Sequence, residues 1–539
     1  MAPRPSANPE IVQALAVANR AYAAGRLGEA EALYRRILMV EPANPDALHW
    51  LGTLALRAGK PAAALDLLQR ATRAAPRRVQ AWSDLGTALI QLERLSEARD
   101  ALRRAVKADP RFTGATLNLV AVLLMGERYD DAEKALRRAL KARSDQPALY
   151  ERLGHVLIQQ RRLDDAEQAY RRAIATAETF AEGRIELAGL LIERDRFQEA
   201  LDLLAPLTAA PSAKVHYLRG VCLRALGQDK EGLAAVAQAR GLILAPYEKR
   251  GMLPQEVYVQ LSRRCNLRCT MCGHAAWTSN TGFMDQAVFD STLAAAKAAG
   301  IGIVTILSGQ GEPLLHPHVF DLLEHAVAQG FAVNMVTNGT PLTPERIDRL
   351  AGLGLAHLQF SFAGYDKESY EQTYVGAKFD KVVENLRGLA AAFRRHGSRT
   401  VFSVKAVCPD PSRDYVERTR AFVRSLGVER ITTVMPNNFG GVVAVGDFHP
   451  GAEMHSFKRL ERHSLLMCRN LLRSVGVYHD GSVTACGCYD SNGALGIGDI
   501  GQGIAGLRTG AAFTAILDAF RHGDVSGLPM CAGCDDAIG

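Results

Sequence analysis

The stretch Cys265-Asn-Leu-Arg-Cys269-Thr-Met-Cys272 places three thiols within eight residues, just after Val257-Tyr-Val-Gln-Leu261, which reads as a β-strand. A zinc or iron site closed by four cysteines needs one more ligand than this loop holds. Three thiolates on a four-iron, four-sulfur cube hold three irons and leave the fourth without a protein ligand, and an open metal position is where chemistry happens. A zinc site completed by nearby His274 is the competing reading of the loop taken alone.

At 539 residues the chain is too long for one ordinary domain, and three are expected. Hydrophobic residues make up 48% and charged residues 22%, so each part can bury a core. The net charge of +7 sits on basic residues dispersed among acidic neighbours along helices. That pattern is a solvated helix face, and no nucleic-acid partner is expected. The start, Met1-Ala-Pro-Arg-Pro-Ser6, has no apolar signal region, and no run of about eighteen apolar residues occurs, so no secretion and no membrane partner are expected and the location is read as cytoplasmic. Ten cysteines are too dilute for a disulfide scaffold; eight fall in two groups after residue 260, a pattern of metal ligation in a reducing compartment.

Upstream of the loop a small residue recurs at Ala30, Ala64, Ala98, Ala132, Ala166 and Ala200, five steps of 34. Turn clusters precede each, at Gly25, Gly59, Glu93, Glu127, Arg161 and Asp195. Helix stops keep the beat at Pro42, Pro76 and Pro110, with Ser144 and Glu178 in register, and a close-contact position reads Gly52, Gly86, Val120, Gly154, Ala188. A degenerate unit, Gly220 to Gly232, arrives two residues early and is expected to cap the array. The pattern resembles the tetratricopeptide repeat, which Leu51-Gly52, Ala64, Ala71 and Pro76 fit well. The resemblance implies an all-α superhelix over residues 9–243 with a concave surface for an extended peptide or partner helix; a spacer or self-association module is the plainer alternative.

After Pro254 the period changes. Strands are expected at Val257–Leu261, Ile303–Leu307, Phe331–Thr337, His357–Ser361, Val401–Val407 and Ile431–Met435, with helices between them near Asp285–Ala299, Val319–Ala328, Pro344–Leu353, Phe379–Arg395 and Tyr415–Leu426. Six β-α steps imply an α/β domain, a partial (β/α)6 barrel over 252–445, whose ligands gather at the carboxyl ends of its strands. There lie Cys265–Cys272, then Ser308-Gly309-Gln310-Gly311-Glu312-Pro313, then Thr337-Asn338-Gly339, then Ser361.

This middle region resembles the radical S-adenosylmethionine (SAM) enzymes. Their CxxxCxxC motif matches Cys265, Cys269 and Cys272, and their Gly-Gly-Glu-Pro motif matches Gly309-Gln310-Gly311-Glu312-Pro313. One departure is Met271, where the family usually has an aromatic; a packing role beside the cluster tolerates that exchange. The resemblance implies a [4Fe-4S] cluster whose open iron chelates SAM. Gly309 and Gly311 let backbone carbonyls approach the SAM ammonium, Glu312 adds negative charge, and Asn338 and Ser361 lie near the ribose or methionine carboxylate. An external low-potential electron donor such as flavodoxin or ferredoxin is implied as well. Cys408 is readable as a hydrogen-atom donor facing the cavity or as a small buried hydrophobe, and Cys222 as packing.

The tail, 446–539, carries Cys468, Cys486, Cys488, Cys531 and Cys534, with a hairpin at Val475–Tyr478 and Ser482–Ala485 turning at Asp480-Gly481. It resembles the SPASM domain and its shorter twitch form, a small α+β module. That implies one auxiliary [4Fe-4S] cluster held by Cys468, Cys486, Cys531 and Cys534. Cys488 is left as a free thiol, an alternative ligand or a substrate-side residue, and a structural zinc site is the competing reading. His274, Trp277 and the linker Pro436–Gly451 are cavity-side by position. The expected function is hydrogen abstraction from a peptide or protein delivered by the repeats. Oxidation or epimerisation of a carbohydrate or other small polar metabolite, and a non-catalytic scaffold, are the alternatives.

Overall fold

The computed structural model describes residues 8–209, 212–272, 282–307, 311–410, 412–434, 468–487, 490 and 493–532. The chain divides into two compact units, Met1–Glu186 and Leu187–Gly539.

The first unit is a run of helical hairpins. It comprises α1 (Pro9–Ala23), α2 (Leu27–Val40), α3 (Pro45–Arg57), α4 (Pro61–Ala74), α5 (Val79–Gln91), α6 (Leu95–Ala108), α7 (Thr113–Met125), α8 (Tyr129–Ala142), α9 (Pro147–Gln159), α10 (Leu163–Thr176) and the start of α11 (Ala181–Glu193). The 34-residue beat is a backbone conformation as well as a residue pattern. Gly25, Gly59, Glu93, Glu127 and Arg161 all turn their hairpins at positive φ, between 50° and 75°. Glycine adopts that region freely; the other three carry a steric cost of about 1–2 kcal/mol each. Close helix approach explains the recurring glycine at the contact position: a β-carbon on Gly52 would stand 2.5 Å from Leu68, and one on Gly154 would stand 2.6 Å from the Tyr170 ring. Bonds between the first helices of successive repeats add register, with Thr53 donating to Asp84 at 2.7 Å and Asn118 to Thr87 at 3.2 Å.

The second unit opens with α12 (Phe197–Leu204), α13 (Ala213–Ala225) and α14 (Asp229–Glu248). Asp195 and Gly227 repeat the left-handed turn. The final repeat does not stop where a cap would. Helix α14 runs for 20 residues, through Pro246, and Leu244 joins the core under the sheet.

Beyond it lie β1 (Glu256–Val259), α15 (Gln286–Ala298), β2 (Ile303–Ile306), α16 (Val319–Ala328), β3 (Ala332–Thr337), α17 (Pro344–Gly352), β4 (His357–Ala363), α18 (Lys367–Thr373), α19 (Phe379–Arg395), β5 (Val401–Val407), α20 (Arg413–Ser425) and β6 (Arg430–Val434). The tail supplies α21 (Arg469–Arg473), β7 (Ser474–Val477), β8 (Ser482–Thr484), β9 (Gly496–Asp499), α22 (Ile504–Thr509), α23 (Ala511–His522) and α24 (Pro529–Ala532). Residue Arg521 on α23 ties back to α14, pairing with Glu248 at 2.8 Å and accepting a bond from Arg240 at its carbonyl.

One sheet runs in the order β6-β5-β4-β3-β2-β1-β7-β8-β9. Strands β1 to β6 are parallel neighbours in sequence order, as β-α steps require. The tail hairpin is not a separate sheet: β7 pairs in parallel with β1, Val257 opposite Val475, and β8 and β9 follow antiparallel. The strands alternate. Val257, Val259, Val304, Met335, Leu358, Phe360, Val404 and Ala406 are buried towards the helices. The other face is polar: Asn334 donates to Thr305 at 3.0 Å, Thr305 bonds Glu256, and His357 meets Ser403 at 2.7 Å. That polar face is the barrel interior. No helix among the described residues is long and apolar enough to cross a membrane.

Candidate active site

The site is built where the ends of β1, β2 and β3 meet. The segment after β1 is held before it reaches the first thiol. Ser262 bridges to Phe283, Arg263 N–H donates to the Gly282 carbonyl at 3.0 Å, and Glu312 N–H donates to the Arg264 carbonyl at 2.8 Å. Gly311 makes the last bond possible. At φ +152°, a β-carbon there would fall on the Ser262 carbonyl oxygen, so the approach of the two loops admits no side chain.

Glu312 is completely buried and its carboxylate is a junction. Oε1 accepts from Thr337 Oγ1 at 2.6 Å and Leu314 N–H at 3.1 Å, and Oε2 accepts from Asn338 N–H at 2.8 Å. Burial pushes the carboxyl up to about 7, against the pull of those three donors. Asn338 in turn aims its amide at the cysteine loop, 4.0 Å from Cys265 Sγ and 3.4 Å from Asn266 Oδ1, while Asn266 donates to Thr340 at 2.7 Å. On the other side, Arg268 and Thr270 N–H groups donate to the carbonyls of Val375 and Thr373 at 2.9 and 3.0 Å. Leu267 and Met271 anchor the loop in the core, Met271 filling the position where an aromatic was expected.

The structure thus gathers Cys265, Cys269, Cys272, Gly311, Glu312 and Asn338 into one neighbourhood. Burial pushes the Cys265 thiol up to about 11 and the Cys269 thiol further, and the neighbouring thiols raise each other. Thiols enclosed together, with desolvation opposing their ionisation, fit a group that binds them as thiolates and supplies positive charge. Among the described residues no three His, Cys, Asp or Glu side chains converge on a single-ion position. A cuboidal cluster does not need that, since each thiolate takes a different iron.

Ser361 stands on β4, facing the interior opposite Lys405 of β5. Cys408 is fully buried, its thiol 3.9 Å from the Ala406 carbonyl. Cys222 is fully buried within α13, where burial pushes its thiol up to about 12. In the tail, Cys468 precedes α21, Cys486 follows β8, and Cys531 lies in α24. Asp490 organises the loop after Cys486, accepting from Thr484 Oγ1 at 2.6 Å and from Ala494 and Leu495 N–H at 2.8 Å. Gly309, Cys488, Cys534, His274, Trp277 and the linker Pro436–Gly451 lie outside the described residues.

Four residues escaped the sequence reading. Asn266 and Thr340 close the cysteine loop onto β3. Tyr258, on the interior face of β1, packs its ring on Gly487, so closely that a β-carbon on Gly487 would overlap it. Arg508, 1% exposed, donates to the carbonyls of Met252 at 3.0 Å, Leu471 at 2.7 Å and Leu472 at 3.3 Å, tying the start of the barrel to the segment after Cys468. No motif marks these; Tyr258 and Arg508 become visible once β7 is seen to join β1.

Comparison with known proteins finds relatives for both regions of the chain. The Radical SAM superfamily model matches residues 259–422, and the model of the cilia and flagella-associated protein 70 C-terminal domain, a tetratricopeptide family, matches residues 6–216. The tungsten-containing aldehyde ferredoxin oxidoreductase cofactor-modifying protein of Pyrococcus furiosus is 37% identical over 105 residues, 20% of this chain and 30% of that protein. The PqqA peptide cyclase of Xanthomonas campestris is 28% identical over 188 residues, 35% of this chain and 48% of that protein. The chain therefore spans less than half the length of these relatives. The crystal structure of BtrN with AdoMet and 2-DOIA matches at 18% identity and TM-score 0.35, over 52% of this chain and 93% of that one. The chain joins a tetratricopeptide-type helical array to a radical SAM domain.

Proposed function

We propose that the protein is a radical SAM enzyme that abstracts hydrogen from a peptide or protein side chain. Its domains in this reading are the repeats, 9–243, the barrel, 252–445, and an auxiliary-cluster domain, 446–539. Cys265, Cys269 and Cys272 hold the first cluster, and Cys468, Cys486, Cys531 and Cys534 hold the auxiliary one. When bound, the first cluster supplies the electron that splits SAM and yields a 5′-deoxyadenosyl radical. Gly309 and Gly311 offer backbone carbonyls to the SAM ammonium, and Asn338 and Ser361 contact its ribose or carboxylate. The buried Glu312 fixes Asn338 against the cysteine loop and stands beside the place of the ammonium. A low-potential donor such as flavodoxin or ferredoxin provides electrons, and the reducing cytoplasm is the setting.

The observation that supports this most is the Glu312 junction, which binds the cysteine loop, the glycine turn and the end of β3 into one unit. For the substrate, a cavity of about 550 Å³ on the repeats, lined by Leu117, Asn118, Ala121, Leu124, Met125 and Arg152, supports a peptide. The PqqA peptide cyclase match supports it too. Anaerobic reconstitution followed by metal analysis tests the assignment. Two four-iron clusters predict about eight irons per chain, falling to about half when Cys265, Cys269 and Cys272 are all replaced by Ala. Stoichiometric zinc in place of iron would refute it.

A further inference from the structure

We propose that a row of cations along α2, α4, α6, α8 and α10 forms a second binding edge of the repeats, one that takes an extended acidic segment of a partner protein. The inference stands apart from the radical SAM chemistry and concerns only how the repeats meet a partner.

These helices hold three sets of cations, and two of the sets use up the neighbouring acids. Arginines at the amino-terminal ends pair one turn ahead: Arg26 with Glu29, Arg94 with Glu97, Arg128 with Asp131 and Arg162 with Asp165. Arginines further along pair one turn back: Arg35 with Glu31 at 2.6 Å, Arg137 with Glu133 at 2.9 Å and Arg171 with Glu167 at 2.7 Å. The third set is left over. Arg36, Arg70, Arg104, Arg138 and Arg172 recur in steps of 34, and Arg73, Lys107 and Lys141 stand three residues beyond the middle three. Of these, Arg70 alone has an ion pair among the described residues, a long one of 3.5 Å to Asp66. All but Arg70 are exposed. Arg104 lies over the Trp82 ring at 4.9 Å, a contact that leaves its charge without a counter-ion.

Residues three apart share a helix face, so Arg70 with Arg73, Arg104 with Lys107 and Arg138 with Lys141 set like charges side by side. Complementing the helix dipole accounts for Arg73, Lys107 and Lys141 in the last turns, but not for the arginines a turn earlier. Such repulsion, repeated on three successive second helices, is relieved by an anion from outside. Residues 1–7 and 210–211, which flank the described repeats, contain no acidic side chain to supply it.

The edge itself chooses the occupant. A solenoid turns a little at each repeat, so a row along it suits a pliable segment better than the plane of a membrane. Arginine at every step of the inner row matches the carboxylate fork. Single-stranded nucleic acid needs open ring faces for its bases. Here Tyr34 and Tyr170 are buried and Trp82 is covered by Arg104. The outer row also has an apolar end. Met39 and Val40, 75% and 65% exposed, stand where later repeats have Arg73-Ala74, Lys107-Ala108 and Lys141-Ala142. An acidic run with a large apolar side chain at one end matches the whole edge.

The test follows fluorescence anisotropy of labelled peptides, long enough to span five repeats, with the full-length protein at low salt. The probes are a peptide of alternating Glu and Ser, its Gln counterpart, the Glu peptide extended by Leu-Phe at one end or the other, an oligothymidylate of matching length, and phosphatidylserine vesicles. The Glu peptide should bind about tenfold tighter than the Gln peptide, and one of the two extended peptides tighter still. R104Q/K107Q/R138Q/K141Q should weaken the Glu peptide about tenfold. R35Q/R103Q/R137Q/R171Q, which removes as many charges from paired positions, should weaken it far less; circular dichroism checks that both variants keep their helices. M39S should cancel the gain from Leu-Phe. Equal binding of the Glu and Gln peptides, equal losses in the two quadruple variants, a Leu-Phe gain that survives M39S, or wild-type binding that persists at high salt overturns the proposal. So does tighter binding of the oligothymidylate or the vesicles, which would assign the edge to nucleic acid or to a lipid surface.

Discussion

The Thr337 hydroxyl donates to Glu312 Oε1 at 2.6 Å, locking the end of β3 onto the turn that follows β2. The bond matters because it belongs to a carboxylate with no solvent exposure, whose other lone pairs go to Leu314 and Asn338 backbone groups. Glu312 therefore acts through what it positions, and its charge state is a property of the fold.

Its titration is measurable. Burial raises the carboxyl from 4.5 to about 7. Between those values the folded chain binds more protons than the unfolded one, so stability falls as pH rises through that window and levels off above it. The fall is roughly 3 kcal/mol. E312Q cannot ionise and should lack this component; urea unfolding at pH 5 and pH 8 compares the two slopes. Equal slopes would show that Glu312 titrates normally.

Tyr258 and Gly487 should be energetically coupled. Gly487→Ala drives a methyl into the Tyr258 ring, a cost of about 1–3 kcal/mol. Tyr258→Ala alone removes buried ring surface, but the double variant should be less destabilised than the sum. Thermal unfolding of the four proteins gives the coupling energy, and simple additivity would mean that the contact is not formed.

The repeat turns offer a gain instead of a loss. Arg161 sits at φ +59°, where the two amino-terminal repeats have glycine. Arg161→Gly should stabilise the array by about 1 kcal/mol, read as a higher urea midpoint. A lower midpoint would mean that the side chain's own contacts outweigh its backbone strain.

Arg508 holds four carbonyls, those of Met252, Leu471, Leu472 and Ser474, with no carboxylate partner among the described residues. Arg508→Met leaves those groups buried and unpaired, at about 1–3 kcal/mol for each bond lost without replacement. Unfolding followed by Trp82, in the first unit, should be unchanged, while hydrogen exchange of α21 and β7 should accelerate. Equal protection in variant and wild type would contradict the clamp.

Legibility followed periodicity. The 34-residue beat and the strand-helix alternation are local patterns, and α16, α19 and β5 fall on the residues the sequence assigns them. Helix α18 was missed because seven residues are too few for a period; its Asp366 cap, bonded to Ser369 N–H at 2.8 Å, was the available signal. The pairing of β7 with β1 is a contact across more than 200 residues, and no local pattern encodes it. The same holds within the site. Cys265, Cys269, Cys272 and Glu312 stand in spaced motifs, whereas Asn266, Tyr258 and Arg508 owe their places to tertiary neighbours.

The central claim is that the three thiols seat a cluster that cleaves SAM. The direct measurement is 5′-deoxyadenosine formed anaerobically by iron-loaded protein with dithionite and SAM. Formation should require reductant, vanish when Cys265, Cys269 and Cys272 are replaced by Ala, and persist when Cys468 and Cys486 are replaced. No 5′-deoxyadenosine from iron-loaded wild type, or undiminished formation by the triple variant, would contradict the account.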